Sequence, residues 1–284
     1  MTDAPFVLTL SCTDTVGIVA AVSAFLAEGG DFIVESQQFA DFESERFFMR
    51  VAYRPARRDL IKAKNAFRNV ASRFAMDWTL TDSGQPMRIV VAVSKFGHCL
   101  NDLLHRWRTG TLPVNIAAVV SNHDDLRAFV EWHGLPFHNL PVSSANRAEQ
   151  EAALLDLIDE TDSELLVLAR YMQVLSLELC STLDGRCINI HHSFLPSFRG
   201  ARPYHQAHER GVKLIGATAH FVTAELDEGP IIEQAIERVD HATSTEAMVD
   251  AGRDVESVVL ARAVRWAAER RILRNGHRTV VFRR

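Results

Sequence analysis

The stretch RIVVAVS (88–94) is the first of four near-continuous apolar segments that decide the fold of the longer part of the chain. The others are NIAAVVS (115–121), LLVLA (165–169) and CINIH (187–191), and the sequence between them has helical periodicity. Apolar strands that alternate with helices indicate a mostly parallel sheet covered on both faces, which right-handed crossovers make Rossmann-like. Since ligands of such α/β sheets bind at the carboxyl ends of the strands, we expect the functional site there.

The residues before this sheet follow a different pattern. Short β-rich runs and helical runs alternate in the order βαββαβ between residues 6 and 81. That order is typical of a ferredoxin-like unit, in which a four-stranded sheet carries two helices on one face. Asp14 or Thr15 is expected to cap the first helix.

The polar turn DSGQP (82–86) separates the two patterns, because apolar periodicity resumes directly after it. We therefore predict one domain over residues 1–84 and a second over residues 85–284. A long helix, roughly 244–274, is expected to end the second domain, with the basic cluster 265–274 on a solvated face.

Composition excludes several classes of function. The 284 residues are 47% hydrophobic and 24% charged, as in ordinary globular proteins, and a net charge of −5 does not favour nucleic acid as a partner. With no basic leader and no apolar run of about 18 residues, we expect no membrane partner and a cytoplasmic location. The cysteines form no CxxC pattern, which predicts reduced thiols and no metal: Cys12, Cys99, Cys180 and Cys187.

Three polar residues are expected to converge at the edge of the sheet. Asn189 and His191 end the strand CINIH, and Asp227 lies in the loop before Gly229-Pro230. An amide, an imidazole and a carboxylate can together hydrolyse an amide-like bond. Taken singly, each also has a structural explanation, as a backbone partner, a packed histidine or a turn-shaping aspartate.

The context of these residues resembles the folate-dependent formyltransferase family. NIHHSFLPSFRGARPYHQAHERGVK (189–213) is similar to the family signature NIHPSLLPxxxG, and GATAHFVTAELDEGPIIEQ (216–234) to the later HxVxxxxDxGP. The resemblance covers about residues 88–284. The position after His191 is usually proline in the transferases, and His192 at this position is similar to the branch that hydrolyses the substrate.

The resemblance implies hydrolysis of 10-formyltetrahydrofolate to formate and tetrahydrofolate, which would supply formate for purine synthesis and balance the one-carbon folate pool. By analogy, Asn189 would hydrogen-bond the formyl oxygen, His191 would stabilise the oxyanion and Asp227 would position and deprotonate water. Folate is the substrate and no cofactor is implied, as the turn SKFGHCL (94–100) also lacks GxGxxG. His192 could orient the loop, exclude an amine, relay a proton or simply pack behind the site.

A second stretch is a candidate for holding the folate. RYMQVL (170–175) follows the strand LLVLA and resembles the family loop whose backbone pairs with the pterin ring. A flat heterocycle needs apolar walls and a few backbone donors and acceptors, with core packing as the alternative role for these side chains. The candidate substrate-binding residues are Met172, Gln173, Val174, Leu175, Val222 and Thr223.

The first domain resembles an ACT domain through CTDTVGIVAAVSAFLAEGG (12–30). ACT domains place an effector amino acid near the loop after the first strand, and the resemblance implies an effector such as glycine or methionine. A free sheet face and edge strands also predict a homo-oligomer, either a dimer or a tetramer. The candidate effector-binding residues are Asp14, Thr15, Val16 and Gly17.

Two other functions remain open from the sequence. One is transfer of the formyl group to an amine acceptor, and Lys95, Phe96 and His98 weigh against it because they replace the glycine-rich turn that grips the acceptor's phosphate in a transferase. The other is a noncatalytic sensor of folate or amino acids. Retention of an amide, an imidazole and a carboxylate together weighs against that sensor.

Overall fold

The computed structural model describes residues 4–196 and 203–283. By the contacts between Cα atoms, the chain divides into two compact units. The first runs to Pro86 and also includes Glu269–Asn275 and the residues from Thr279 onward, while the second contains Met87–Ala268 and Gly276–Arg278. The assignment of two functional domains stays a prediction.

The first unit contains a four-stranded antiparallel sheet in the order β2-β3-β1-β4. Its two helices bury one face each, with Ile18, Val22 and Leu26 on α1 and Phe67 on α2 packed into the core beneath β1. The elements are β1 (Phe6–Thr13), α1 (Ile18–Glu28), β2 (Phe32–Asp41), β3 (Arg46–Arg54), α2 (Leu60–Arg73) and β4 (Asp77–Asp82).

The start of α1 differs from the sequence-based expectation. Its N-cap is Gly17, with φ +99° and no side-chain hydrogen bond to the cap, so neither Asp14 nor Thr15 caps the helix. The left-handed backbone turns the chain from β1 into α1, and glycine adopts it without a Cβ clash. The amide of Asp14 instead donates to the carbonyl oxygen of Glu45.

The second unit is an α/β structure around a seven-stranded sheet of order β11-β10-β9-β8-β5-β6-β7. The predicted mostly parallel sheet is confirmed: β5 to β9 pair in parallel, and β10 and β11 extend the sheet antiparallel. The elements are β5 (Met87–Val93), α3 (His98–Arg108), β6 (Val114–Ser121), α4 (Arg127–Trp132), β7 (Phe137–Asn139), α5 (Arg147–Glu160), β8 (Leu165–Leu168), α6 (Leu177–Thr182), β9 (Cys187–His191), α7 (Pro203–Glu209), β10 (Leu214–Phe221), β11 (Ile231–Arg238) and α8 (Thr245–Ala268).

The C-terminal region also differs from the expected single helix. Helix α8 ends at Ala268 rather than near 274, and two short strands follow, β12 (Ile272–Asn275) and β13 (Arg278–Val281). The Asn275-Gly276 pair between them is a strong hairpin signal, and here it prevails over the helix-forming composition before it.

Arg271, expected on a solvated helix face, is fully buried in the first unit. Its guanidinium donates to the carboxylates of Glu269 at 2.6 Å and Glu35 at 3.0 Å, and Arg50 shares Glu35 at 2.7 Å. A buried guanidinium needs such partners, because an unpaired charge in the interior is costly. The hairpin segment therefore contributes to the core of the first unit.

Candidate active site

Asn189 and His220 come together through the register of two neighbouring strands. They are direct partners in the antiparallel pairing of β9 with β10, and Asn189 Nδ2 lies 3.2 Å from His220 Nε2. His220 Nδ1 is 2.8 Å from the carbonyl oxygen of Phe221, to which it must donate its proton. The neutral ring then accepts at Nε2 from Asn189, which fixes the orientation of the asparagine amide.

Asp227 lies in the loop between β10 and β11, with its side chain turned toward both histidines. One carboxylate oxygen is 3.2 Å from His191 Nδ1, and the other is 3.7 Å from His220 Nε2. Asp227 adopts a left-handed backbone (φ +58°), which aspartate tolerates better than most residues. The structure therefore brings together the amide, imidazole and carboxylate that were singled out in the sequence.

The loop that carries Asp227 depends on a close backbone approach at Gly229. A Cβ atom at this position would lie 1.7 Å from the carbonyl oxygen of Phe221, so a larger residue cannot be accommodated without moving the backbone. The amide of Phe221 donates to the carbonyl oxygen of Pro230 at 3.0 Å and closes the turn. The Gly229-Pro230 pair thus holds the carboxylate against the end of β10.

The Asp227 carboxylate is held in its ionised form. Burial alone would raise its pKa, but contacts with His191 and His220 outweigh burial and hold the pKa well below its usual range. We attribute the lowering mainly to His191, because the 3.7 Å separation from His220 Nε2 exceeds hydrogen-bond distance. An ionised carboxylate can position water and accept a proton.

A cavity of about 560 Å³ lies over these side chains at the carboxyl ends of the parallel strands. Asn189, His191 and Asp227 line it, as do Met172 and Val174, which are about half exposed rather than packed in the core. All the candidate substrate-binding residues border this same cavity: Met172, Gln173, Val174, Leu175, Val222 and Thr223. The site thus combines polar groups at one wall with apolar side chains along others, as ligand pockets commonly do.

Comparison with known proteins gives the family. The family model for formyl transferase matches residues 87–264. A formyltetrahydrofolate deformylase from Corynebacterium sp. (strain P-1) is 53% identical over 98% of this chain and 98% of its own. One from Bacillus subtilis (strain 168) is 49% identical over 97% of this chain and 93% of its own.

A solved structure agrees over the whole length. The formyltetrahydrofolate deformylase from Burkholderia mallei ATCC 23344 superposes with a TM-score of 0.95 at 50% identity, covering 99% of this chain and 100% of that one. The chain belongs to the formyltetrahydrofolate deformylase family. Its site can therefore be described as that of a deformylase-family protein.

The loop 170–175 of this deformylase-family chain is anchored by residues that sequence reasoning missed. Ser94, at the end of β5, accepts the amide proton of Met172 at 3.0 Å and donates its own hydroxyl proton to Asn122 at 2.6 Å. Both polar side chains are buried. Their position directly after two apolar strands was the available sequence signal.

A buried carboxylate on α8, Glu256, was also missed. It is 1% exposed and accepts hydrogen bonds from His98 at 2.8 Å and from the Tyr204 hydroxyl at 2.9 Å, and it lies 3.4 Å from Arg170 Nε. Burial would raise the pKa of Glu256, but the hydrogen bond from His98 and the charge of Arg170 reverse this and lower it. All these side chains border the cavity of the deformylase-family site.

His98 and Glu256 also belong, with Cys99, to a group that has suitable ligand atoms for a metal within 4.8 Å of one another in the described part of the chain. Burial raises the pKa of the Cys99 thiol, which favours its protonated form and makes it a poor ligand. The hydrogen bond between His98 and Glu256 already accounts for the proximity of these two residues. Absence of a metal stays a prediction.

The His192 ring lies between the rings of His191 and Tyr204 at the cavity. Its ring centroid is 5.2 Å from that of His191 and 6.3 Å from that of Tyr204. Burial and the charge of Arg170 lower its pKa to about 3, so the ring is neutral near pH 7. A neutral imidazole fits an orienting role better than that of a cationic donor.

The candidate effector residues lie in the first unit, directly after β1. Val16 is 98% exposed, and Asp14, Thr15 and Gly17 are exposed as well. Nothing in this loop contributes to the cavity of the second unit, whose lining comes from residues 96–256. In the described part of the chain, no helix is long and apolar enough to cross a membrane.

Proposed function

We propose that this chain hydrolyses 10-formyltetrahydrofolate to formate and tetrahydrofolate. The observation that carries the proposal is the Asp227 carboxylate, 3.2 Å from His191 Nδ1 and beside the Asn189–His220 pair, in a cavity large enough for a flat heterocycle. Near-full-length relatives named for the deformylase activity support the same reaction. Formate released in this way would serve purine synthesis and adjust the one-carbon folate pool.

In the proposed mechanism, Asp227 positions a water molecule and takes its proton as the oxygen attacks the formyl carbon. Asn189 keeps one Nδ2 proton for the formyl oxygen after donating the other to His220. His191 Nδ1 donates to Asp227, and Nε2, which is buried without a hydrogen-bond partner in the described structure, donates to the oxyanion when it also carries a proton. Collapse of the tetrahedral intermediate breaks the C–N bond, and the departing nitrogen takes up the proton.

The folate is proposed to bind across the cavity wall formed by loop 170–175 and the segment after β10. Met172 and Val174 would cover the faces of the pterin ring, and backbone groups near Val222 and Thr223 would pair with its edge. The remaining candidates for this contact are Gln173 and Leu175. Folate is then the substrate, and the reaction needs no cofactor.

The test is formate release from 10-formyltetrahydrofolate by the purified full chain, with no amine acceptor present. We expect enzyme-proportional release, and we expect Asp227→Asn to lower kcat by about 100-fold or more while folate still binds. Asp162→Asn is a matched control, because Asp162 is an exposed aspartate with a left-handed backbone (φ +48°). Absence of formate release, or near-native turnover of Asp227→Asn, would contradict the proposal.

We also propose that residues 1–84 form an ACT domain and residues 85–284 the catalytic domain. An amino acid such as glycine or methionine would bind at the loop of Asp14, Thr15, Val16 and Gly17 and change turnover. The exposure of this loop supports ligand access. Titration of both amino acids into the formate assay tests the idea, and turnover that stays constant with both would count against it.

A homo-oligomer, either a dimer or a tetramer, is proposed from the apolar surface of the first unit. Strand β2 leaves Phe32, Ile33, Val34 and Phe39 exposed, and such a strand is prone to pair or pack with another copy. Sedimentation of the full chain tests this, and a monomer at micromolar concentration would contradict it. A cytoplasmic location and the absence of nucleic-acid and membrane partners complete the proposal.

A further inference from the structure

The cavity contains a second group of charged side chains that the proposed hydrolysis does not use. Arg170, His98 and Glu256 border it together with Arg253. Arg253 is paired with Asp250 at 3.0 Å outside the core, with its side chain 42% exposed. Arg170 is the deeper of the two arginines, with its side chain 10% exposed.

Arg170 has hydrogen-bonding capacity that the described residues leave unused. Its Nε lies 3.4 Å from a Glu256 oxygen without hydrogen-bond geometry, and its Nη1 has no hydrogen-bond partner in the described structure. Nη1 carries two N–H donors on a group that is always charged in proteins. Because a buried charged donor without an acceptor is unfavourable, an anion that reaches it is bound favourably.

The position of this guanidinium is fixed by its surroundings. The Arg170 backbone is left-handed (φ +65°), and its carbonyl oxygen accepts from the amide of Ser94 at 3.2 Å. The guanidinium carbon lies 5.6 Å from the centroid of the Phe96 ring. Helix α3 begins two residues later, after Gly97, with no side-chain cap on its positive end.

A continuous series of side chains links Arg170 to the proposed catalytic residues. Glu256 lies 3.4 Å from Arg170 and accepts from Tyr204 at 2.9 Å. The Tyr204 and His192 rings are 6.3 Å apart, and those of His192 and His191 are 5.2 Å apart. Arg170 and His191 also border the same cavity.

The proposed reaction creates an anion beside another anion. Water adds to the formyl carbon as Asp227 takes one proton, the C–N bond breaks as that proton passes to the nitrogen, and the formic acid left behind gives its own proton to solvent and becomes formate. Formate then faces the ionised carboxylate of Asp227, and like charges at contact repel. Arg170 borders the same cavity, and its Nη1 is buried without a hydrogen-bond partner in the described structure.

We propose that Arg170 forms a product subsite, in which its Nη1 donates to a formate oxygen after formate leaves Asn189, His191 and Asp227. This inference rests on the proposed function. Its ligand class is a small monocarboxylate anion, because formate is the anion that the proposed reaction produces in the cavity that Arg170 borders. The subsite removes the product from the Asp227 carboxylate and so frees that carboxylate for the next water molecule.

The test measures formate binding separately from turnover. The purified full chain is titrated into ¹³C-formate without folate and at constant ionic strength, and the NMR line width of the formate reports its binding. We expect Arg170→Gln to weaken formate binding at least tenfold, about 1.4 kcal/mol. Arg253→Gln is the matched control, since Arg253 borders the same cavity and lies over the same Phe96 ring. The affinity of this variant for formate should stay within twofold of the wild-type affinity. Equal affinity in the wild type and Arg170→Gln would overturn the subsite.

Arg170→Lys provides a second variant if the glutamine variant does not fold. It keeps the positive charge but lacks the Nη1 donors, so formate should bind severalfold more weakly than to the wild type, and unchanged affinity would again overturn the subsite. Chloride that displaces ¹³C-formate as strongly as unlabelled formate does would also overturn the subsite. Such a result would show a general effect of anions.

The formate-release assay separates the two possible failures. Release of formate by the wild type, together with formate binding that does not depend on Arg170, would remove the subsite and leave the proposed function. Binding that depends on Arg170 in a protein that releases no formate would remove the proposed function and overturn the role as a product site.

Discussion

Asn189 and His220 face each other across the β9–β10 pairing, and the histidine orients the asparagine. With Nδ1 donating to the carbonyl oxygen of Phe221, the neutral His220 ring presents an acceptor to Asn189 Nδ2 at 3.2 Å. A one-residue slip of the register would turn one of the two side chains to the other face of the sheet. The geometry of the site is therefore set by strand pairing as well as by the loop that carries Asp227.

Replacing His220 with glutamine tests this positioning. We expect kcat to fall about 100-fold, because a displacement of about 1 Å at a reacting group has that effect. Because the neutral His220 ring accepts at Nε2 and lies 3.7 Å from Asp227, it gives that carboxylate no donor, so the acid limb of the kcat/KM profile should keep its position and KM should change less than kcat. His133→Gln is the matched control, since His133 Nδ1 likewise lies 2.8 Å from a backbone carbonyl oxygen, that of Phe129. A KM that rises as much as kcat falls would indicate a general disruption of the cavity rather than a loss of Asn189 positioning.

Gly229→Ala should displace the Asp227 loop. Its Cβ would lie 1.7 Å from the carbonyl oxygen of Phe221, and backbone atoms must move to relieve the overlap. We expect formate release to fall at least 100-fold while the chain still folds. Gly110→Ala is the control: its added methyl meets no atom within 4 Å, although the backbone has a positive φ that strains an alanine. This variant should keep its activity. Similar activity of the two variants would refute the close approach.

Thr218→Val tests the network behind the end of β9. The buried Thr218 hydroxyl accepts from the Leu195 amide at 3.1 Å and from Gln234 at 2.9 Å. Valine has nearly the same shape without the oxygen, so the free energy of unfolding should fall by about 1–3 kcal/mol. Thr182→Val, on an exposed part of α6, should change it by less than about 0.5 kcal/mol. Urea unfolding measures both, and equal stability of the two variants would exclude the network.

Glu256→Gln should destabilise the second unit in a pH-dependent way. It leaves the charge of Arg170 without its partner, which costs about 3–5 kcal/mol for a buried pair. The folded-state pKa of Glu256 is lowered, so the carboxylate stabilises the fold above its unfolded pKa of 4.5 and loses that effect as pH falls through the folded value. The Tm difference between Glu256→Gln and the wild type should thus be largest near pH 7 and shrink below about pH 4.5. Glu237→Gln, at an exposed position, is the control and should show no such pH-dependent difference. A constant difference would contradict the assignment.

The parallel sheet was predictable because its strands are almost uninterrupted apolar runs, as in RIVVAVS (88–94). The positions of Asn189 and Asp227 were predictable for a related reason, since strand ends and the turn before Gly229-Pro230 can be located from the sequence. The role of His220 was not, although the residue lies inside a recognised motif. Its contacts arise from the register of β9 against β10, which local sequence does not specify.

The errors near the C-terminus have a similar cause. Helical composition continues past Ala268, and the hairpin signal at Asn275-Gly276 follows only after several further residues. Nothing in the local pattern distinguishes the buried Arg271 from its partly exposed neighbours. Glu256 was missed for the same reason, because the buried face of α8 is decided by elements distant in sequence.

The Arg271 network makes the first unit discontinuous along the chain. Arg50 and Glu35 emerge from the ribosome before Glu269 and Arg271, which bind them across sequence separations of 219 and 236 residues. Residues 4–86 must therefore wait for that later segment, with the Arg50–Glu35 pair lacking its other partners and part of their surface uncovered. A gene fragment cut after residue 86 would encode this unit without its final segment, and a stable excised version would need residues 269–283 joined to it.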